Sequence, residues 1–381
     1  MNIQEKLSEL QKEGNYRTLT HLQHEGCYVF KEGKKYLNLS SNDYLGIASK
    51  IDLRKEFLSS LDVSSTGFSA SASRLQTGSY PEYNLLEEKL SSLYGSEAAI
   101  VFNSGYHANT GILPAITDER SLILADKLVH ASIIDGIRLC SAKSIRYRHN
   151  DYQQLERLVL DNASRYEQII IVTESIFSMD GDEADLPRLC QIKKQYPHVM
   201  LYVDEAHAFG VRGTSGLGCA EENGCIADID FLVGTFGKAL ASIGAFVVCS
   251  NLIRECLINR MRTFIFTTAL PPINISWSLF ILEKLPYFSV QREYVKTISQ
   301  RLRRQLPRTA GSSHIVPMLI GGNDDCVRIS QELAGYGFFA SAIRPPTVPA
   351  GTARIRFSLS ANMPEDEIER LIRTLAKIQT L

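Results

Sequence analysis

The sequence has no pair of cysteines in a C-x-x-C arrangement. Its eight cysteines stand at 27, 140, 190, 219, 225, 249, 256 and 326, most of them inside apolar or helix-patterned runs. This pattern excludes a disulfide framework and a zinc site, and implies buried thiols in a reducing compartment. Net charge is nearly absent: 41 Lys and Arg against 42 Asp and Glu leave -1. No overall field draws in a phosphate backbone or an anionic bilayer, so nucleic-acid and membrane partners are disfavoured. Long hydrophobic runs are also missing. Residues 1–13 alternate charged and apolar side chains without the apolar centre of a signal peptide. The most apolar stretch, 239–253, is broken by Ser242, Gly244, Ser250 and Asn251, and is too short to span a bilayer. A soluble, cytoplasmic protein is expected, without repeats or low-complexity segments.

What is present is an ordinary globular composition, 44% apolar and 22% charged, over 381 residues. That length favours a large domain with a smaller partner. Between about Ala98 and Ser250, short apolar or β-branched runs alternate with longer helix-patterned segments, the signature of βα units and a mostly parallel sheet. Strands are expected at 98–103, 121–125, 144–148, 168–173, 199–203, 231–234 and 245–249, several of them apolar on both faces as a sheet between helix layers requires. Leu86, Leu90, Leu93 and Tyr94 share one face of a helix opened by Pro81; Ile368, Leu371, Ile372 and Leu375 do the same after Pro364. Pro271-Pro272 interrupts the pattern, followed by helix to Leu306 and strands near 314–319 and 353–359. The expected division is an N-terminal segment 1–45, a large domain 46–270 and a small C-terminal α/β domain 271–381.

Two constellations carry chemistry. Leu201-Tyr202-Val203 is an apolar strand that delivers Asp204, Glu205 and His207 at its carboxyl end, the edge where ligands bind in open α/β sheets. The string D-E-A-H also occurs in helicases, but their ATPase needs G-x-x-x-x-G-K-[ST]. The Gly237-Lys238 pair here has Phe231 in place of the first glycine and Ala239 after the lysine. The second constellation is Gly234-Thr235-Phe236-Gly237-Lys238, past another apolar strand and flanked by the small residues Ala239, Ala241, Ser242 and Gly244. Such a lysine can approach a flat cofactor and form a Schiff base, although a lone lysine is more often a solvated surface charge. Its neighbours include Asn103-Ser104-Gly105-Tyr106, a strand-to-helix turn suited to a phosphate, then His130-Ala131-Ser132 and Ser178 within Glu174–Asp182. Singly, His130 reads slightly better as a helix-start group and Ser178 as a turn residue.

Seven motifs in order make the chain resemble the α-oxoamine synthases, a branch of the fold-type-I pyridoxal-phosphate enzymes. They are Ser40–Gly46, His130–Ser132, His149–Asp151, Phe177–Asp182, Asp204–His207, Thr235–Lys238 and Thr268–Pro272. The resemblance implies a pyridoxal 5'-phosphate transferase, active as a homodimer, in which Lys238 holds the cofactor and acts as general base. Asp204 would pair with the pyridinium nitrogen and His130 would stack on the ring. His207 and Ser178 would hydrogen-bond the phenolic oxygen. Gly105, Tyr106 and Thr235 would hold the phosphate, joined by Thr267 and Thr268 from the second subunit. For substrates it implies Arg356 and Arg344 on the amino acid carboxylate, with Arg17 and Thr347, and His130, as further contacts. No metal is implied.

Within the family, 344–356 is most similar to the members that join L-alanine to a pimeloyl thioester, on coenzyme A or a carrier protein. These release CO2 and free thiol and form 8-amino-7-oxononanoate in biotin biosynthesis. Siblings that use glycine or serine with acetyl, succinyl or long-chain thioesters are the alternative, and a non-catalytic protein of the same fold is a more distant one. Four positions depart from the family pattern: Glu205 for the commoner Asp, Tyr83 for a histidine, and Ala241 and Ser242 for glycines near the lysine.

Overall fold

The computed structural model describes residues 2–379, and the chain divides into two compact units. The larger comprises Ile51–Phe177 and Glu183–Arg292. At its centre is a seven-stranded sheet in the order Ala98–Phe102, Ala245–Cys249, Phe231–Thr235, Val199–Asp204, Gln168–Glu174, Ser121–Asp126, Lys143–Tyr147. The five strands from Phe231–Thr235 onward run parallel, and Ala245–Cys249 is antiparallel to both of its neighbours. All seven expected strands are present, displaced by at most a residue or two at their ends.

The apolar runs explain the sheet. Ile123, Ile170, Val172, Leu201 and Val203 are fully buried, each removing enough apolar surface from water to contribute about 1.5–3 kcal/mol. Lys143–Tyr147 lies at the sheet's edge, and there the pattern changes to mostly exposed positions bearing Lys143 and Arg146, which discourages further strand pairing. Helix Gly105–Ile116 is capped by Ser104, whose side chain accepts from His107 N. It lies against helix Ala131–Arg138 at Gly136, where a Cβ would run into the Asn109 carbonyl oxygen.

The smaller unit comprises the chain up to Lys50, Ser178–Asp182 and the chain from Glu293 onward. Its antiparallel sheet pairs Ile315–Gly321 with Ala353–Ser358 and the latter with Ala342–Ile343. A second sheet joins the N-terminal strands Gln23–Glu25, Tyr28–Lys31 and Lys34–Asn38 to Phe338–Phe339. Leu37, Val316, Leu333, Phe338, Ile355, Phe357, Ile368, Leu371 and Leu375 belong to its core.

The expected domain limits are corrected in two places. The division falls at Arg292/Glu293 rather than 270/271, because helix Pro272–Lys284 packs on Pro81–Tyr94 and buries Ile275 and Ile281 within the larger unit. Residues up to 45 are no separate segment, because Lys34–Asn38 pairs in parallel with Phe338–Phe339. All eight cysteines are free thiols, six of them buried. No helix among the described residues is long and apolar enough to cross a membrane.

Candidate active site

Adjacent parallel strands end side by side and deliver the chemistry. Asp204 closes Val199–Asp204 and stands in register with Val233, two residues before Thr235 ends its own strand. The chain past Thr235 brings Lys238 Nζ to 2.9 Å from His207 Nε2. Asp204 is 5% exposed. Its Oδ1 accepts from Ala206 N at 2.8 Å and its Oδ2 from Asn109 Nδ2 at 2.7 Å. Three of the expected residues, Lys238, His207 and Asp204, are therefore gathered at one sheet edge, with a buried asparagine that the sequence reading missed. Asn109 is the fourth residue after Gly105 and lies on the buried side of its helix with Ala108, Ile112 and Leu113; a polar residue at a core position was its one available signal.

His130 is the N-cap of helix Ala131–Arg138, its Nδ1 accepting from Ser132 N and 2.7 Å from Ser132 Oγ. The residue is exposed overall. Desolvation on its protein side lowers the imidazole's pKa from the ordinary value, Lys238 adding to this and Asp204 opposing it. The ring is thus disposed to stay neutral.

A phosphate cradle is built nearby. The N-terminus of Gly105–Ile116 presents the first-turn N–H groups of Gly105 and Tyr106, beside His107 N capped by Ser104, and the positive end of the helix dipole. A Cβ added at Gly105 would stand 4.0 Å from Thr235 Cβ, so turn and strand end converge. Thr235 Oγ1 accepts from Gly237 N at 3.2 Å and lies 3.0 Å from Gly244 O, while Tyr106 O–H donates to Asp135 at 2.7 Å. Thr267 and Thr268 meet Asn103 of their own chain, whose Nδ2 donates to Thr268 O at 2.6 Å.

Two further buried acids flank Asp204. Glu174 ends the neighbouring strand in register with it, and burial reinforced by the Asp204 charge pushes its carboxyl well above the ordinary value. Glu205 is fully buried and its pKa is raised to about 7 by desolvation, against the donors Ser175 Oγ at 2.5 Å, Ala220 N at 2.7 Å and Cys219 N at 3.1 Å.

The smaller unit carries the remaining expected residues. Ser178 offers its carbonyl to Arg356 Nε at 2.6 Å. The rest of the Arg356 guanidinium donates to Asn42 Oδ1, Ser358 Oγ and Tyr44 Oη. These partners are neutral, so the positive charge is oriented without being cancelled. Arg17, Arg344 and Thr347 line one cavity of about 460 Å³, in which Arg17 donates to Thr347 Oγ1 at 3.1 Å and Arg344 to Gly14 O at 2.6 Å.

The donor set of the larger unit fits a flat aldehyde bearing a phosphate and a basic ring nitrogen. It offers an amine for the aldehyde, a buried carboxylate for the nitrogen, an imidazole and a helix N-terminus.

Comparison with known proteins agrees. The pattern of the family Aminotransferase class I and II matches residues 34–375. A relative from Neisseria gonorrhoeae, provisionally named 8-amino-7-oxononanoate synthase, is 50% identical over 377 residues, covering 98% of this chain and 99% of its own. The chain belongs to the aminotransferase class I and II family, on its α-oxoamine synthase branch. Solved members share the fold-type-I architecture. A serine palmitoyltransferase of S. paucimobilis, described with a bound PLP–myriocin aldimine, is 27% identical with a TM-score of 0.87, covering 98% of this chain and 96% of that one. The 8-amino-7-oxononanoate synthase of Francisella tularensis is 28% identical with a TM-score of 0.75, covering 91% and 98%.

Proposed function

We propose that this α-oxoamine synthase condenses L-alanine with a pimeloyl thioester, on coenzyme A or a carrier protein, giving 8-amino-7-oxononanoate, CO2 and free thiol in biotin biosynthesis. The observation that carries the chemistry is Lys238 Nζ beside His207, past the strand end neighbouring that of Asp204. Full-length identity of 50% to a relative of that name supports the substrates. Bound there, pyridoxal 5'-phosphate supplies an electron sink for the carbanion at the amino acid α-carbon and again for loss of CO2.

The chain's residues do the rest. Lys238 anchors the cofactor, and its amine, once displaced by alanine, removes the α-proton and later returns one. Asp204 keeps the ring nitrogen protonated, and His207 and Ser178 hold the phenolic oxygen. His130 stacks on the ring. Gly105 and Tyr106 amides with Thr235 hold the phosphate. Arg356 takes the alanine carboxylate as a fork, assisted by Arg344, and Arg17 with Thr347 contacts the acyl substrate.

The active form is a cytoplasmic homodimer, in which Thr267 and Thr268 reach the second subunit's phosphate. Phe68, Tyr106 and Phe266 are 67%, 53% and 70% exposed in the single chain, and such large apolar surface supports cover by a second copy. The likeness to a serine palmitoyltransferase favours one rival, serine with a long-chain thioester. Thiol release from pimeloyl, acetyl, succinyl and palmitoyl thioesters, each offered alanine, glycine or serine, separates them. Pimeloyl with alanine should give the highest kcat/KM; serine with palmitoyl, or glycine with acetyl, giving the highest instead overturns the assignment.

A further inference from the structure

Asn109 is 2% exposed, and both ends of its amide are engaged. Nδ2 donates to Asp204 Oδ2 at 2.7 Å and to Ser132 Oγ at 2.9 Å, while Oδ1 accepts from Tyr202 O–H at 2.6 Å. Chemistry forces this orientation. A carboxylate offers only acceptors, so the amide atom facing Asp204 is the nitrogen, and the Tyr202 hydroxyl then meets the carbonyl. Ser132 Oγ, already accepting from Asn109, gives its own proton to His130 Nδ1 2.7 Å away, which also accepts Ser132 N–H at 3.2 Å. With Nδ1 receiving two donors, the neutral ring carries its proton on Nε2. Ser132 and Tyr202 are as deeply buried as Asn109, and the close helix approach at Gly136 holds the two helices at this separation.

We propose that Asn109 is a positioning residue that fixes two cofactor contacts at once: the Asp204 carboxylate directly and, through Ser132, the tautomer and orientation of the His130 ring. The proposal rests on the cofactor roles given above to Asp204 and His130. Its consequence is an asymmetry. Loss of Ser132's hydroxyl disturbs only the ring, whereas loss of Asn109 disturbs ring and carboxylate together.

The test uses the full chain labelled with 15N-histidine, with and without pyridoxal 5'-phosphate, the His130 signals being assigned by their loss in His130→Gln. The parent chain should show the Nε2–H tautomer. Ser132→Ala should shift the His130 ring signals while changing cofactor affinity by less than about 3-fold, and Asn109→Ala should shift them and weaken the cofactor by about 10- to 100-fold, as loss of a hydrogen bond to a charged group does. Ser132→Thr, which keeps the hydroxyl, should restore the parent signals.

An Nδ1–H tautomer in the parent chain overturns the proposal. So does Asn109→Ala with signals and affinity unchanged, or Ser132→Ala weakening the cofactor as much as Asn109→Ala, the result of residues that merely fill space. If Asn109→Ala does not fold, the parent tautomer and Ser132→Ala still decide. A parent chain that takes up no pyridoxal 5'-phosphate refutes the cofactor reading instead, because the apo-protein signals test the network alone.

Discussion

Glu174 and Asp204 stand opposite each other at the ends of adjacent parallel strands, two carboxyls in register and both buried. Burial and the Asp204 charge push the Glu174 carboxyl well above its ordinary value, which favours its protonated form. Glu174→Gln, which mimics the protonated form, should therefore not destabilise the protein at pH 8. The unfolded chain loses its free energy of ionising Glu174, so the urea midpoint should rise at pH 8. At pH 4, where both states hold the proton, the two midpoints should coincide. A midpoint lowered at pH 8 would show Glu174 ionised in the fold.

Glu205 makes a related prediction with a defined window. Its carboxyl is raised from 4.5 to about 7, so between those values the folded chain holds a proton that the unfolded chain has released. Its contribution is fully present below pH 4.5 and is lost as pH rises to 7, with a slope of at most about 1.4 kcal/mol per pH unit. Glu205→Gln should flatten stability against pH over that interval in urea titrations. A slope unchanged by the substitution would contradict this.

Much of the site was legible in the sequence because it sits where the hydrophobic pattern is strongest. Six of the seven central strands are apolar runs bounded by turn residues, and Asp204, Thr235 and Lys238 follow from where two of those runs end. The N-terminal strands were not legible: Gln23–Glu25 is exposed throughout and has no alternation to read. The domain limit was misplaced at Pro271-Pro272 because proline is equally at home in the first turn of a helix, and here it opens Pro272–Lys284. Asn109 escaped because its partners Ser132, Tyr202 and Asp204 lie 23, 93 and 95 residues away.

The buried Glu87 carries the fold around the Thr267–Thr268 segment. It pairs with Arg74 and accepts from Val101 N at 2.9 Å, Arg74 lies over the Tyr83 ring at 4.0 Å, and the Tyr83 hydroxyl bonds Leu270 O at 3.2 Å. Glu87→Ala leaves the buried Arg74 guanidinium, still donating to Ser79 Oγ, without its counter-charge and the buried Val101 N–H without its acceptor, and should cost about 3–5 kcal/mol. Urea denaturation measures it; a loss below about 1 kcal/mol would place the pair in the range of surface ion pairs.

Arg356 should tolerate no substitution by lysine. An ammonium keeps the charge but not the planar fork, so Arg356→Lys should lower kcat/KM for the amino acid by about 10- to 100-fold, with KM for the thioester little changed. Arg17→Ala should do the reverse, raising KM for the acyl substrate. Equal effects of both substitutions on both substrates would refute the division of roles.

The central claim is that Lys238 forms a covalent imine with pyridoxal 5'-phosphate, and it is tested most directly by borohydride reduction followed by peptide mass mapping. The parent protein should be yellow, its imine absorption band should bleach on reduction, and the phosphopyridoxyl mass should lie on the peptide containing Lys238; Lys238→Ala should show neither band nor adduct. An adduct on another lysine, or an intact Lys238 protein that stays colourless in excess cofactor, would contradict the account.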